Sequence, residues 1–320
     1  MKINRKLKIG VLVGGSKTER NWSIKSGRNI VKILKDNSFD NIRLIKVGQK
    51  LTVRAIRGCD LIFISTFGKP WQSGLAQSLC EKCGIPYTGS NPRTSFLAFN
   101  KHRAKRLFKT SNIFTPPWIY SKGKIVNWDK VKNKIGKDII LKPVDEGLSK
   151  GVARVIDQSN YLKHFKKIVH NNGGVIIERY IEGAKITVPV IRARNMLVLQ
   201  PIEIAKSHYV VNYLKMINSG KMPYKVFSAK PSLIDVIKKT ARKCFVKLNC
   251  RGIGYVDMIV ENQTFKPYVL EVGTIPGYTD KSKVPFSARV SKIPVVKLLE
   301  ISMLIALNKN FDPRKYFKNA

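Results

Sequence analysis

Residues 254–272 read GYVDMIVENQTFKPYVLEV, two short apolar runs that each carry one acidic residue. The runs at 254–260 and 268–272 have the length and β-branched content of paired strands. Asp257 and Glu271 lie within them, and a carboxylate flanked by apolar residues is costly to bury unless it is paired or binds a metal ion. Two such groups can hold Mg²⁺, which prefers oxygen ligands and also coordinates nucleotide phosphates. The alternative is a pair of structural carboxylates neutralised by lysine or by backbone groups.

A glycine-containing loop follows another apolar strand, upstream of this pair. Lys142 lies at the end of the run at 138–143, and residues 146–151 (EGLSKG) come soon after it. An ammonium group and backbone N–H groups that converge at a loop can cradle a phosphate. The alternative is a hairpin turn with a surface lysine.

Two further connections could approach a ligand. Residues 178–183 (ERYIEG) join two apolar runs and are a candidate hinge that offers backbone groups to a base. Residues 273–279 (GTIPGYT) form a small-residue loop, which lets the backbone come close to a ligand. The alternatives are an ordinary strand connection and a turn.

The rest of the chain carries strand and helix patterns in a recognisable order. Between residues 8 and 87, apolar strands alternate with helical patterns, which indicates a parallel sheet. Four strands between 138 and 193, with a helix at 161–169, indicate an α+β segment of antiparallel strands. Residues 206–231 have no clear period and predict a lid. We therefore predict a fold of the α/β and α+β classes.

The charge of the chain is its main departure from an ordinary globular composition. Sixty Lys and Arg against twenty Asp and Glu give a net charge of +40 at pH 7. A charge of this size often marks a nucleic-acid partner, but the basic residues are spread over the whole length without a basic arm or tail. This distribution favours a compositional bias, and we predict no nucleic-acid partner. The densest basic stretch, residues 101–109, is predicted to be one solvated helix.

Cysteine usage and hydropathy address the compartment. The five cysteines are odd in number and irregular in spacing, which fits a reducing compartment. Cys80 and Cys83 are predicted to lie at the end of an amphipathic helix. The apolar run at 9–15 is too short for a signal peptide, and the run at 293–307 is too short to span a bilayer. We predict a cytoplasmic protein without a membrane partner.

Taken in order, these features resemble the D-alanine–D-alanine ligase family of the ATP-grasp superfamily, from about residue 7 to residue 307. The short motifs that carry the resemblance are Gly14-Gly15 with Glu19-Arg20 and Ser23, GIPYTGS (84–90), Asn100-Lys101, TPPW (115–118), LKP (141–143), ERYIEG (178–183), Arg251-Gly252, Asp257, LEV (270–272) and TIPG (274–277). The resemblance implies an ATP-grasp fold with an N-terminal Rossmann-like parallel-sheet domain. The implied domains are 1–98, a central ATP-grasp subdomain at 99–182, and a C-terminal subdomain at 183–320 with the metal and second-substrate sites.

The resemblance also implies a reaction. ATP phosphorylates the carboxylate of one D-alanine, and the amine of a second D-alanine attacks the acylphosphate to give D-alanyl-D-alanine for peptidoglycan synthesis. The implied roles are phosphate contacts from Lys101 and Lys142, adenine contacts from Glu178, Arg179 and Ile181, Mg²⁺ or Mn²⁺ ligands at Asp257 and Glu271, the first substrate's ammonium at Glu19, the second substrate and oxyanion at Ser282 and Gly277, and a lid tyrosine at Tyr213, with Tyr209 as second choice. The family is commonly dimeric, so a homodimer is also implied.

Several positions depart from the family pattern. Gly273 stands where an asparagine would bind a second Mg²⁺, and Tyr255 stands where an arginine would stabilise the tetrahedral intermediate. Further departures are Leu148, Lys185, Phe67, residues 71–74 (WQSG) and residues 281–283 (KSK). One lost donor in such a site can cost about 10²–10³ in rate. The departures predict a weakened ligase, and the alternative is a catalytically inactive ATP-grasp protein that retains nucleotide or partner binding. Lys283 leaves the second substrate open among D-alanine, D-lactate and D-serine.

Overall fold

Three β-sheets, each built from a separate stretch of the chain, organise the structure. The computed structural model describes residues 3–17, 19–47, 53–204, 222–308 and 311–317. The sheets carry thirteen strands within these ranges, numbered β1–β13 in chain order. The predicted combination of a parallel α/β part and an antiparallel α+β part is confirmed.

The first sheet is parallel and has the order β2-β1-β3. Its strands are β1 (Ile9–Gly15), β2 (Ile42–Lys46) and β3 (Leu61–Phe67). Helix α1 (Arg20–Lys35) connects β1 to β2, α2 (Val53–Ile56) precedes β3, and α3 (Ala76–Lys82) follows it. β1 and β3 are buried along nearly their whole length, which explains why both read as continuous apolar runs. At the end of this predicted alternating segment, Tyr87 forms one isolated parallel bridge with Ile62 instead of a strand.

The second sheet is antiparallel and has the order β4-β7-β5-β6. Its strands are β4 (Trp118–Ser121), β5 (Ile139–Pro143), β6 (Ala153–Val155) and β7 (Val175–Arg179). Helices α6 (Trp128–Ile135) and α7 (Gln158–Asn172) share its apolar core, to which Val131, Tyr161 and Phe165 contribute. β4 and α6 were not predicted from the sequence.

The third sheet carries the central part of the candidate site. Its order is β11-β10-β8-β12-β13, with β9 paired to β8. The strands are β8 (Gly183–Arg192), β9 (Met196–Val198), β10 (Ile202–Ile204), β11 (Tyr224–Val226), β12 (Gly252–Glu261) and β13 (Pro267–Gly273). Helix α8 (Pro231–Lys247) packs on one face, where Val188, Ile237 and Val256 belong to one buried cluster. Because side chains alternate across a strand, the residues between these positions face away from α8.

Two consecutive helices lie between the first two sheets in sequence. α4 (Pro92–Phe99) and α5 (Lys101–Thr110) each begin at an asparagine whose side chain accepts a backbone N–H, Asn91 and Asn100 respectively. The prediction of one solvated helix at 101–109 is wrong on one face. Lys101 and Lys105 are one turn apart and buried, because that face of α5 turns toward the interior.

The chain ends with three helices after the third sheet, α9 (Lys283–Val290), α10 (Val295–Leu307) and α11 (Pro313–Phe317). Leu298 and Ile301 of α10 share a buried cluster with Val11 of β1 and Ile30 of α1. Helix α10 therefore packs on the first sheet beside α1. The domain limits at 98/99 and 182/183 stay a prediction. Across the residues described, no helix is long and apolar enough to cross a membrane.

Candidate active site

Two cavities meet between the three sheets. The first is lined by Glu19, Tyr255, Gly277, Ser282 and Lys283, among others. The second is lined by residues that include Lys142 and Glu178 through Ile181. The residues that line both cavities are Lys101, Glu146, Gly147, Ser149, Lys185, Asp257 and Glu271. A ligand in one cavity can therefore contact a ligand in the other at this shared boundary.

The predicted carboxylate pair lies at the boundary. Asp257 and Glu271 are direct partners in the antiparallel pairing of β12 with β13, so their side chains share one face of the sheet. Thr187 of β8 is the partner of Asp257 on its other side. Its hydroxyl donates to Asp257 Oδ1 at 2.6 Å, and the ammonium of Lys283 donates to Oδ2 at 2.6 Å. Both oxygens of this buried carboxylate thus have a partner within the chain.

The electrostatics of the pair are dominated by lysine. Partial burial opposes ionisation of Glu271, but four ammonium groups outweigh it and hold its pKa below the usual range; they belong to Lys101, Lys283, Lys142 and Lys185. Lys101 Nζ lies 3.7 Å from Glu271 Oε2. Burial and the neighbouring Lys283 lower the pKa of Lys185, against the attraction of Asp257 and Glu271. The boundary is therefore a place where an additional anion would be stabilised.

Two departures from the family pattern fit each other in space. Tyr255 and Gly273 are direct partners in the pairing of β12 with β13. A Cβ at position 273 would lie 2.7 Å from the Tyr255 hydroxyl oxygen and closer still to ring carbons. The ring therefore takes the space that a side chain at 273 would need. Lys283 Nζ lies 4.9 Å from the centre of the same ring, within reach of a cation–π interaction.

This arrangement fits one divalent cation better than two. Among the described residues, no three His, Cys, Asp or Glu side chains form a group that could hold a metal ion. Asp257 already binds Thr187 and Lys283, and Gly273 offers no side-chain ligand. Mg²⁺ in nucleotide sites is often held by one or two carboxylates together with phosphate oxygens. Glu271, with a side chain 38% exposed, fits that role.

Glu178 and Lys142, which line the second cavity, belong to a buried triad of charges with Lys105. Glu178 accepts from Lys142 Nζ at 2.6 Å and lies 2.7 Å from Lys105 Nζ. Burial opposes ionisation of Glu178, but the two ammonium groups hold its pKa below the usual range. Burial lowers the pKa of Lys105 to about 8, although the Glu178 carboxylate opposes this shift. Glu178 therefore fixes the position of Lys142 in addition to lining the cavity.

The predicted glycine-containing loop closes over Lys101. The Lys101 ammonium donates to the backbone carbonyl of Glu146 at 2.6 Å, and its own N–H donates to the Val144 carbonyl. Leu148 and Ser149 both have positive φ, 51° and 56°, which is uncommon for residues with a Cβ. Such a curled backbone turns successive N–H groups toward one side, as in anion-binding loops.

Glu19 lines the first cavity and is 3% exposed. Its carboxylate accepts from Ser16 Oγ at 2.9 Å and packs against Gly68 and Gly147, where a Cβ would collide with it. Burial raises the pKa of Glu19, only partly offset by the Ser16 hydrogen bond. A buried carboxylate with a raised pKa is poised to bind a cation.

The remaining predicted residues lie in the cavities or outside the described part of the chain. Ser282 is buried and its Oγ accepts from the Thr279 N–H at 3.0 Å, and a Cβ at Gly277 would lie 2.9 Å from that oxygen. Arg179 and Ile181 line the second cavity, where the backbone passes from β7 to β8. Tyr213 and Tyr209 lie outside the described residues.

Three lysines that lie beside the site carboxylates were not predicted there from the sequence, namely Lys105, Lys185 and Lys283. A signal for Lys105 was available, because it shares a helical face with Ala104 and Phe108, both buried. Lys185 shares a strand face with Thr187 by its two-residue spacing. Nothing in the local sequence identifies Asp257 as the partner of Lys283.

Comparisons with known proteins bear on the family and the fold of the chain. A family model described as D-ala D-ala ligase C-terminus matches residues 107–304. A D-alanine–D-alanine ligase of Cupriavidus metallidurans is 31% identical over 97% of this chain and 95% of its own length. The crystal structure of a D-alanine–D-alanine ligase from Bacillus anthracis is 27% identical, covers 98% of this chain and 100% of its own, and has a TM-score of 0.83. A crystal structure of a Bacillus anthracis D-alanine–D-alanine ligase complexed with ATP is 28% identical. It covers 94% of this chain and 97% of its own, with a TM-score of 0.80.

Proposed function

Because the chain belongs to the D-alanine–D-alanine ligase family, we propose that it uses ATP to join two D-alanine molecules into D-alanyl-D-alanine, a precursor of peptidoglycan. The observation that carries the proposal is the boundary shared by the two cavities. Lys101, Asp257 and Glu271 lie where a nucleotide phosphate from one cavity would meet a substrate carboxylate from the other. Phosphoryl transfer needs this juxtaposition together with charge neutralisation.

ATP is proposed to occupy the second cavity. The backbone between Glu178 and Ile181 would border the adenine, at the passage between two sheets. Lys142 and Lys101 would bind phosphate oxygens, and both ammonium groups are already positioned, by Glu178 and by the Glu146 carbonyl. Positioned cations stabilise the charge of a transferring phosphoryl group without reorganising in the reaction.

The two D-alanines are proposed to occupy the first cavity. Glu19 would bind the ammonium of the first, because a buried carboxylate with a raised pKa gains most from a cation. A carboxylate oxygen of the first D-alanine attacks the γ-phosphorus of ATP, and ADP leaves. The amine of the second D-alanine then loses a proton and attacks the acyl carbon, the bond to phosphate oxygen breaks, and inorganic phosphate leaves. Ser282 and the backbone at Gly277 would hold the second substrate and the developing oxyanion.

One Mg²⁺ is proposed to be held by Glu271 and the nucleotide phosphates, because both oxygens of Asp257 already have partners within the chain. Its contribution there would be neutralisation of phosphate charge. Mn²⁺ would serve the same role, because both ions accept oxygen ligands.

Two broader properties are also proposed. We assign the protein to the cytoplasm, where ATP is available and where free thiols persist; all five cysteines are free, and three of them are buried. A homodimer remains a prediction of the family resemblance, to be tested by light scattering of the purified protein. A nucleic-acid partner is not part of the proposal.

The activity is proposed to be weak, and one observation favours a second candidate function. Tyr255 and Gly273 stand where the family pattern has an arginine and a metal ligand, at the position where charge develops. The Tyr255 ring also fills the space that a side chain at 273 would need. A protein that binds nucleotide without turning it over would have this feature. Retention of Lys101, Lys142, Asp257 and Glu271 in one place supports the ligase.

The test is dipeptide formation from ATP, Mg²⁺ and D-alanine, measured by mass spectrometry alongside ADP release. We expect slow formation of dipeptide with one ADP per product, loss in Lys142→Ala, and no change in Lys166→Ala, which removes an exposed lysine of α7. Folded protein that binds ADP but makes no dipeptide would select the second candidate. Protein that neither binds nucleotide nor makes dipeptide would contradict both.

A further inference from the structure

An ammonium group lies where a cation would approach the carboxylate pair. Lys283 Nζ is 2.6 Å from Asp257 Oδ2, and the two side chains are only 12% and 3% exposed. An ion pair this far from solvent is screened little and is not a casual surface contact. A divalent ion at the same oxygen would have to displace the ammonium or approach it against charge repulsion.

The surroundings hold the Lys283 ammonium in place. Its Nζ lies over the ring of Tyr255, and that ring can sit there because residue 273 is glycine. Lys283 is also the first residue of α9, so its backbone is fixed by a helix start. Three departures from the family pattern thus form one contact cluster beside Asp257: Tyr255, Gly273 and Lys283.

We propose that Lys283 is a built-in cation of the nucleotide site, which takes the place of one divalent ion at Asp257. The chain then binds one divalent ion per nucleotide, and binding persists in substantial part when divalent ions are removed. The inference rests on the proposed nucleotide site. Lys101, Lys142 and Lys185 surround the same boundary and add to its positive charge.

The first test is calorimetry of ADP binding in Mg²⁺ and in EDTA. For the wild-type protein we expect the affinity to fall less than about tenfold in EDTA. For Lys283→Met we expect a fall of about a hundredfold in EDTA and a smaller change in Mg²⁺, because an ion can then occupy Asp257. Lys283→Arg keeps the charge and should respond like the wild type. Lys247→Met, which removes an exposed lysine outside both cavities, is the matched control.

The second test counts ions and needs no variant. Electron paramagnetic resonance of the wild-type protein with ADP and Mn²⁺ should give one bound Mn²⁺ per chain. Two bound ions, or a Lys283→Met protein whose response to EDTA equals that of the wild type, would overturn the inference and leave the proposed function standing. Absence of ADP binding in Mg²⁺ as well as in EDTA would instead overturn the proposed nucleotide site and this inference with it.

Discussion

The ring of Tyr255 fills the space beside Gly273, its direct partner across two antiparallel strands. Two departures that look independent in the sequence are therefore one packing solution. A glycine is needed at 273 because the ring lies against the backbone there. The arrangement stands where the family resemblance implies an arginine and an asparagine, and it also provides the aromatic surface under Lys283.

Restoring one member of this pair should fail where restoring both succeeds. Gly273→Asn alone inserts a side chain into the Tyr255 ring and should lower the free energy of unfolding by about 1–3 kcal/mol. Gly273→Asn with Tyr255→Arg relieves the collision and returns both charge-handling groups, so ligase turnover should rise by about tenfold or more. Urea unfolding and dipeptide formation measure the two effects. A folded double variant with unchanged turnover would contradict this account.

The buried triad should be sensitive to loss of Lys105. Lys105→Met leaves Glu178 with Lys142 as its remaining ammonium partner and should cost about 3–5 kcal/mol of unfolding free energy, as expected when a buried ion pair loses one member. Lys109→Met, on the exposed side of the same helix, should change stability by less than about 0.5 kcal/mol. Similar losses in the two variants, measured by chemical denaturation, would show that the triad is not the cause.

Glu19 should reduce stability as the pH rises. The pKa of Glu19 in the folded protein lies above the usual 4.5. Between pH 4.5 and the folded-state pKa, the folded protein therefore binds more protons at Glu19 than the unfolded chain does. The contribution of Glu19 to the free energy of unfolding is therefore greatest below pH 4.5, and it is lost as the pH rises through the folded-state pKa. Glu19→Gln should flatten that part of the stability profile and make the protein more stable at neutral pH.

The same substitution should also reduce catalytic efficiency. An amide cannot neutralise the ammonium of the first D-alanine, so kcat/KM should fall about 10–100-fold in Glu19→Gln. Thermal unfolding against pH and dipeptide kinetics are the two measurements. A variant that is both less stable at neutral pH and fully active would contradict the assigned role.

Ser282 should act on the second substrate. Ser282→Ala removes a buried oxygen of the first cavity and should raise the KM for the second D-alanine about tenfold, with a smaller effect on the first. Ser232→Ala, at the exposed start of α8, is the control. Initial rates over a range of D-alanine concentrations separate the two binding events. Equal effects on both would assign Ser282 a structural role only.

Local sequence determined much of the fold because strand and helix periods are local properties. The 16-residue helix α1, the strand at 42–46 and the paired strands β12 and β13 follow from apolar spacing alone. The common face of Asp257 and Glu271 was not predicted, because it depends on the register of β12 with β13, which shifts between Asp257 and Met258. Short elements were missed, such as β4 with four residues, because so few residues carry no clear period.

Tertiary structure decided which charges meet. The sequence placed Lys101 and Lys105 in a helix but suggested solvent around it, whereas packing buried that face of α5. Lys105 and Glu178 are far apart in the chain, and so are Asp257 and Lys283; each pair forms because separate elements pack against each other. A local pattern specifies which way a side chain points along its own strand or helix. The partner that it meets depends on how distant elements are brought together, and burial then makes that meeting energetically significant.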